Sequence, residues 1–284
     1  MILLDFSSIA MSSIMPQIDK FEENTDMIRH IMINIIRRYN EEYRDDYGEM
    51  VICMDAGNNW RKQVFPQYKA NRRKNRDNSI HDWNAIFGMM NQVRDDIREL
   101  SPFRCVWVDE CEADDAIGTI VEKQNNPEPF MIVSPDGDFK QLQRYPNVKQ
   151  WSNLQKKYVV SENPLDELHE KCCRGDTGDG VPNCLSDDDV LITEGTRQTP
   201  LSKKKIAALK EDPHALGAST ASRLARNTTM IDLTRTPDRL KDSIMSEFDK
   251  GPKGNMMSWM NYLMKNQLKL LLESASDFEV RTLQ

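Results

Sequence analysis

The chain has no apolar run approaching the roughly 20 residues that a membrane-crossing helix requires, so no membrane partner is expected. Its first residues, MILLDFSSIAMSS, lack a basic leader and hold Asp5 inside the apolar stretch, which argues against a secretory signal. Cysteine is unpatterned: Cys53, Cys105, Cys111, Cys172, Cys173 and Cys184 form no CxxC pair and no disulfide framework. That points to a reduced, cytoplasmic setting. Cys53 and Cys105 lie in strand-like apolar runs, where free cysteine behaves as a small hydrophobe. A zinc site from His169, Cys172, Cys173 and Cys184 would lack the paired spacing such sites use. The four histidines, His30, His81, His169 and His214, stand apart from the acidic motifs, and no Ser/His/Asp or Cys/His nucleophilic arrangement is visible. There is no internal repeat and no long disordered stretch. Positive charge is in deficit too, with a net charge of -7, which taken alone argues against a nucleic-acid partner.

The 284 residues suffice for one large domain or one plus a smaller one, and 39% hydrophobic with 29% charged residues is ordinary for a soluble globular chain. Apolar runs at 2–4, 50–54, 104–108 and 130–133 read as strands, the last of them buried on both faces. Helical patterns separate them. One follows Thr25 or Asp26 as N-cap, with Ile28, Ile31, Met32, Ile35, Ile36 and Tyr39 on its apolar face. Others span about 82–100 and 113–124. This alternation predicts an α/β fold with a mainly parallel central sheet flanked by helices. VKQWS and KKYVV read as a two-strand ribbon, and the chain turns helical and polar after Pro164. We therefore expect an α/β core over 1–180 and a smaller, mostly helical unit over 181–284. The Met and Leu stripe near the C-terminus reads as core or docking surface.

Each predicted strand runs into acids. Asp5 ends the first and Asp55 the second; Glu112, Asp114 and Asp115 follow the third, and Asp136 and Asp138 the fourth. One such acid is commonplace, and acids in a helix's first turn are favoured by its dipole. Four strands ending in acids, on the edge where open α/β sheets bind ligands, is a different matter. The glycine-rich turn CCRGDTGDGVPN adds Asp176 and Asp179. Clustered carboxylates raise one another's pKa and need cations, and oxygen-only donors favour Mg²⁺ or Mn²⁺ over zinc. Lys140 at the fifth position of the Asp136 loop rules out an EF-hand. An acid-lined site holding two ions suits phosphodiester hydrolysis. Asp109, Glu110 and the run 187–189 read instead as solvated charge.

The complement is WRKQVFPQYKANRRKNR at 60–76, which holds Arg61, Lys62, Lys69, Arg72, Arg73, Lys74 and Arg76 without one acid. It reads either as a solvated loop or as a phosphate-backbone surface with Trp60, Phe65 and Tyr68 available to stack on bases.

ILLDFS, VICMDA, the YKANR run, CEADDAIG, IVSPDGDFKQL and RGDTGDGVPN occur in the order seen in the 5′ nuclease family. That family comprises flap endonucleases and the 5′-to-3′ exonuclease domains of DNA polymerase I. The chain most resembles its stand-alone bacteriophage RNase H type, with YPNVKQWS and KKYV especially similar, over about residues 1–210. The resemblance implies a PIN-like nuclease core and two Mg²⁺ ions, for which Mn²⁺ can substitute. Asp5, Asp55, Glu112, Asp114 and Asp136 would surround the first ion; Asp138, Asp176 and Asp179 would hold the second, with Asp115 near either. Arg61, Lys69 and Arg72 would act on the phosphate beside Asp5 and Asp136, with Tyr68 stacking nearby. Arg73 and Lys74, with Arg197, Lys203 and Lys204 at the basic helix start, would bind substrate. Segment 58–82 would be a mobile arch passing a single-stranded 5′ end, and GDTGDGVPN the start of a helix–three-turn–helix element with a K⁺ ion. The chain departs from that pattern by inserting CLSDDDVLITEG before Thr196. The implied activity is two-metal 5′-3′ exonuclease and flap endonuclease cleavage with RNase H activity, removing RNA primers and flaps during replication. Branched or nicked duplex DNA and RNA–DNA hybrids would be its partners. The enzyme would be monomeric, in the host cytoplasm if phage-encoded, and could meet a single-strand-binding protein or sliding clamp. Two alternatives stay open: a PIN-like ribonuclease, and a catalytically inactive structure-specific DNA-binding protein. The basic segment and GDTGD element weigh against the first, the full acid set against the second.

Overall fold

The computed structural model describes residues 1–124 and 128–282. In chain order the elements are β1 (Ile2–Asp5), α1 (Phe6–Ile14), α2 (Thr25–Tyr47), β2 (Met50–Cys53), α3 (Arg61–Val64), α4 (Ala70–Asp77), α5 (Trp83–Leu100), β3 (Arg104–Val106) and α6 (Ala113–Lys123). Then come β4 (Phe130–Val133), β5 (Val148–Ser152), β6 (Lys157–Val159), α7 (Pro164–Arg174), α8 (Lys203–Glu211) and α9 (Ala218–Ile231). The last three are α10 (Asp238–Asp249), α11 (Met256–Lys265) and α12 (Lys269–Glu273).

The six strands form one sheet in the order β3-β2-β1-β4-β5-β6, parallel except for β6. The parallel α/β expectation and the edge ribbon both hold. Every residue of β1, β2 and β4 is buried, as strands covered on both faces must be. Alternation along the strands sends Ile2, Leu4, Met50 and Ile52 to a core under α1, α2 and α5. Leu3, Val51, Cys53 and Ile132 go to the opposite core, under α6 and α10.

The chain lays β1, β2 and β3 outward in one direction and then returns to place β4 on the other side of β1. That reversal is the topological switch point, where open α/β sheets leave a crevice beyond the carboxyl ends of their strands. Asp5 and the Asp136 loop flank it.

The C-terminal helices do not all stand apart. α8 and α9 share a third core with Phe65, Tyr68, Cys172 and Cys173. Leu240, Ile244 and Phe248 of α10 enter the second sheet core, and Trp259, Leu263, Leu271 and Phe278 enter the first. Buried Asn40 of α2 donates to the Asp277 carbonyl at 2.7 Å, tying the C-terminal segment to the sheet layer. The sequence division at 180 therefore does not coincide with a division in packing. On α11 the Trp259 and Leu263 face is core, whereas Met257 and Met264 are exposed. Among the described residues, no helix is long and apolar enough to cross a membrane.

Candidate active site at the carboxyl edge of the sheet

β1 delivers Asp5, 8% exposed, directly into the N-cap of α1. Its Oδ1 accepts from the Ser8 amide at 3.1 Å and its Oδ2 from the Ser134 hydroxyl at 2.9 Å. Asp55, just past β2, accepts from the Ala113 amide at 2.7 Å and from the Ser7 hydroxyl. Asp114 sits in the first turn of α6. Asp136, after β4, caps the 3-10 turn Gly137–Arg144 by accepting from the Asp138 amide at 2.9 Å. Buried Gln150 of β5 fixes that loop from below, donating to the carbonyls of Ser134 at 3.0 Å and Asp136 at 2.7 Å. Among the described residues, no Lys or Arg pairs with these four acids.

Burial and then the Asp55 charge push the Asp5 carboxyl up to about 7. Loss of hydration also raises Asp55, with Glu112 adding to it, and raises Asp114 well above the carboxylate range, with Asp136 and Asp5 adding to it. Asp136 is raised in the same sense, dehydration and Asp176 outweighing the opposing Lys171.

A second set faces them. The Gly175 turn, with φ +70° and room for no side chain (a Cβ would lie 2.3 Å from the Val181 carbonyl oxygen), folds Asp176 back toward α7. Lys171 contacts Asp138 and lies 3.0 Å from Asp176. Gly180, with φ +73°, packs against the Gln67 carbonyl and lets the Asp179 carbonyl accept from the Lys69 amide at 2.7 Å. Lys69 itself takes the left-handed conformation, φ 58°, a local strain of the kind that accumulates at functional positions. Its ammonium contacts Glu112 and lies 3.6 Å from Asp179, which also meets Arg72. Burial opposes ionisation of Glu112, but Lys69 and Arg61 prevail and hold it down to about 2. Asp176 likewise goes below its ordinary value, Lys171 overcoming dehydration. A narrow cleft lined by Tyr68, Asp114, Asp138, Asp176 and Asp179 connects the two sets.

Three of the expected residues are already engaged by the chain itself. Asp115 is fully buried and both its oxygens are taken: Arg61 donates in a fork at 2.9 Å and 2.9 Å, Thr236 at 2.8 Å, and the Glu112 amide at 2.9 Å. In this arrangement it acts as a strut between the basic segment and α6. Arg61, 3% exposed and also donating to the Met230 carbonyl at 2.9 Å, lines the cleft from within, where it anchors the basic segment and braces Glu112. Tyr68 is buried, with its hydroxyl 2.8 Å from Glu112 and 2.9 Å from Asp179, so its ring offers no stacking face.

The other expected contacts lie where substrate could meet them. Arg72 is half exposed, and Arg73, Lys74, Arg197, Lys203 and Lys204 are exposed. The acids of the 184–195 segment pair mostly with other cations: Asp187 and Asp188 with Arg223 and Arg226 of α9, although Glu194 lies 3.4 Å from Lys74, one of the expected contacts. Lys171 and Gln150 were not picked out from sequence. Only the i,i+5 spacing of Lys171 and Asp176 could have hinted at the first.

Among the described residues, no three His, Cys, Asp or Glu side chains stand close enough together to hold an ion as they are arranged. The donor chemistry nonetheless suits divalent cations. The acids are oxygen-only, mutually repelling and, in the first set, without a paired cation among the described residues, the charges of Lys69 and Lys171 only partly offsetting their repulsion.

The family model described as 5′-3′ exonuclease, N-terminal resolvase-like domain, matches residues 2–171, and that of T4 RNase H, C terminal, matches 163–278. The ribonuclease H of Enterobacteria phage T4 is 32% identical over 292 residues, covering 97% of this chain and 95% of that protein. The flap endonuclease Xni of Shewanella sp. (strain MR-4) is 25% identical over 186 residues, 62% of this chain and 65% of that one. In fold the chain resembles the zinc-bound phage T5 5′-exonuclease, with a TM-score of 0.64 at 16% identity over 88% of this chain and 98% of that one. It also resembles a phage T5 flap endonuclease crystallised with DNA and metal ions, with a TM-score of 0.63 at 15% identity over 87% and 98%.

Proposed function

Because the chain belongs to the 5′-3′ exonuclease family, we propose that this 5′ nuclease is a metal-dependent phosphodiesterase acting on 5′ flaps, duplex 5′ ends and RNA–DNA hybrids, and that it removes RNA primers during replication. The observation that carries the reading is the set Asp5, Asp55, Asp114 and Asp136, gathered at the switch point with no Lys or Arg paired to any of them among the described residues, so that dehydration and mutual repulsion outweigh the more distant cations. A protein holding such a set on a deep sheet edge has built a cation site.

Asp5, Asp55, Glu112, Asp114 and Asp136 would hold one Mg²⁺, and Asp138, Asp176 and Asp179 a second. When bound, the ions would supply Lewis-acid stabilisation of the charge developing on the phosphate and leaving oxygen. The chain's own residues do the rest. Lys69 and Arg72, at the entrance, neutralise the scissile phosphate as it arrives and let it approach a field of carboxylates. Arg73, Lys74, Arg197, Lys203 and Lys204 follow the backbone on either side, so binding weakens steeply with salt despite the net charge of -7. Segment 58–82 is the arch over the site, and the enzyme acts as a monomer in the cytoplasm.

The test is cleavage of 5′-labelled flap, nicked and RNA-primed duplexes with and without Mg²⁺. Release of short 5′ products only when Mg²⁺ is present supports the reading. Equal cleavage in excess EDTA, or binding without cleavage under all conditions, overturns it.

A further inference from the structure

Lys171 has no part in the scheme above, yet among the described residues it is the one cation placed between two expected ligands of the second ion. Its ammonium contacts Asp138 and lies 3.0 Å from Asp176. The base from which it projects is rigid. Cys172 and Cys173, the next two residues of α7, are buried in the third core, and the Gly175 turn is locked by the Val181 and Pro182 carbonyls. Lys69 and Arg72, the other cations on this set, come from the basic segment instead. Lys171 also has somewhere to go. Glu167 lies one turn earlier on the same helix, in the favourable Glu-to-Lys order, and the two border a groove with Asp138 and Lys140; its carboxylate already accepts from Lys140 at 3.1 Å and Ser161 at 2.6 Å, so Lys171 would share it with them.

We propose that Lys171 is a built-in counter-cation of the second acid set, which keeps Asp138 and Asp176 together and competes with a divalent ion for them, so that the two ions load with unequal affinity. The inference rests on the two-ion reading above. An ammonium between two carboxylates offers them part of the Coulombic relief that a divalent ion would, and must withdraw toward Glu167 before the ion can have them both. Removing it leaves Asp138 and Asp176 as bare as the first set.

The experiment is Mn²⁺ binding to the free protein, followed by calorimetry and by the paramagnetic signal of unbound Mn²⁺, for wild type, Lys171→Met and Lys171→Arg. The expected result is a tight and a weak site in wild type, a weak site strengthened about tenfold or more in Lys171→Met, and no such gain in Lys171→Arg. The tight site stays where it was. An unchanged or weakened second site in a Lys171→Met protein with native circular dichroism overturns the proposal, as does an equal shift of both sites. Lys171→Gln, similar in length and uncharged, carries the same expectations should the Met variant fold poorly. No Mn²⁺ uptake by any variant would overturn the metal reading itself, and this proposal with it.

Discussion

Asp5, Asp55, Asp114 and Asp136 meet no Lys or Arg among the described residues, whereas Glu112, Asp138, Asp176 and Asp179 each hold at least one. The two sets, divided here by charge partner so that Glu112 stands apart from the other acids proposed for the first ion, sit on the same sheet edge and share a cleft, yet their electrostatics are opposite. In the first, dehydration and mutual repulsion push carboxyls up, Asp5 to about 7. In the second, ammonium and guanidinium groups pull Glu112 down to about 2 and lower Asp176 as well. The difference separates two tasks. A set without cations gains most from a bound ion, and a set with its own cations is preassembled but must exchange partners to bind one.

The largest expected break comes from the first set. Asp136→Asn or Asp5→Asn should reduce cleavage in Mg²⁺ about a thousandfold or more, equivalent to roughly 4 kcal/mol of transition-state stabilisation, while duplex affinity is largely kept. Gel-shift titration beside single-turnover cleavage measures both. Full turnover by either variant sinks the assignment of this set to the ion.

The next test sharpens the boundary between the sets. Arg61 and Asp115 form a buried pair whose separation should cost about 3–5 kcal/mol of stability, because it strands a charge with no access to water. Arg61→Met should therefore show its loss in urea denaturation. Asp115→Asn, if Asp115 is a strut, should lower stability while Mn²⁺ affinity changes little. A large affinity loss in a stable Asp115→Asn protein would restore it as a ligand.

How much of this contrast could be read from residues alone is itself instructive. The strands, their mainly parallel sense and the acids at their ends were legible because apolar runs and strand-end position are local signals, and Phe130–Val133 was bounded to the residue. α1 was not, because FSSIAMSS has no charged face, and its start is set by Asp5 reaching the Ser8 amide. The fate of Arg61 was hidden for a different reason. Its partner Asp115 is 54 positions away, and a forked, buried pair looks in sequence like any arginine in a basic run. Tyr68 fell to the same limit, as did Lys171: which cation meets which acid is decided by packing. The C-terminal helices that return to both sheet cores carry ordinary amphipathic patterns, and nothing local says which layer they complete.

A smaller kinetic effect is expected at the entrance. Lys69→Ala should slow the chemical step about a hundredfold and weaken DNA binding far less, since its ammonium meets the phosphate when charge builds and otherwise rests on Glu112 and Asp179. An affinity loss that accounts for the whole drop in kcat/KM would make Lys69 a backbone contact only.

The gentlest test separates the two sets by pH without altering a residue. Asp5 keeps its proton up to about 7 when folded but releases it near 3.8 when unfolded. Between about pH 4 and 7 the folded chain therefore binds the extra proton, and stability falls as pH rises through that window. Asp55, Asp114 and Asp136 are shifted in the same direction and add to the slope. Glu112 behaves in the opposite way: its contribution is full above its unfolded value of 4.5 and is lost as pH falls toward about 2. The first set thus acts above pH 4 and the second below it. In EDTA, thermal melts from pH 4.5 to 8 should show a decline on the order of 2 kcal/mol, discounted from the full shift because the carboxyls titrate together. Excess Mg²⁺ should flatten it by supplying the missing charge, and Asp5→Asn should flatten it without metal. A level EDTA curve would mean that the acids at the switch point are hydrated or compensated in the free protein, and the contrast between the two sets would collapse.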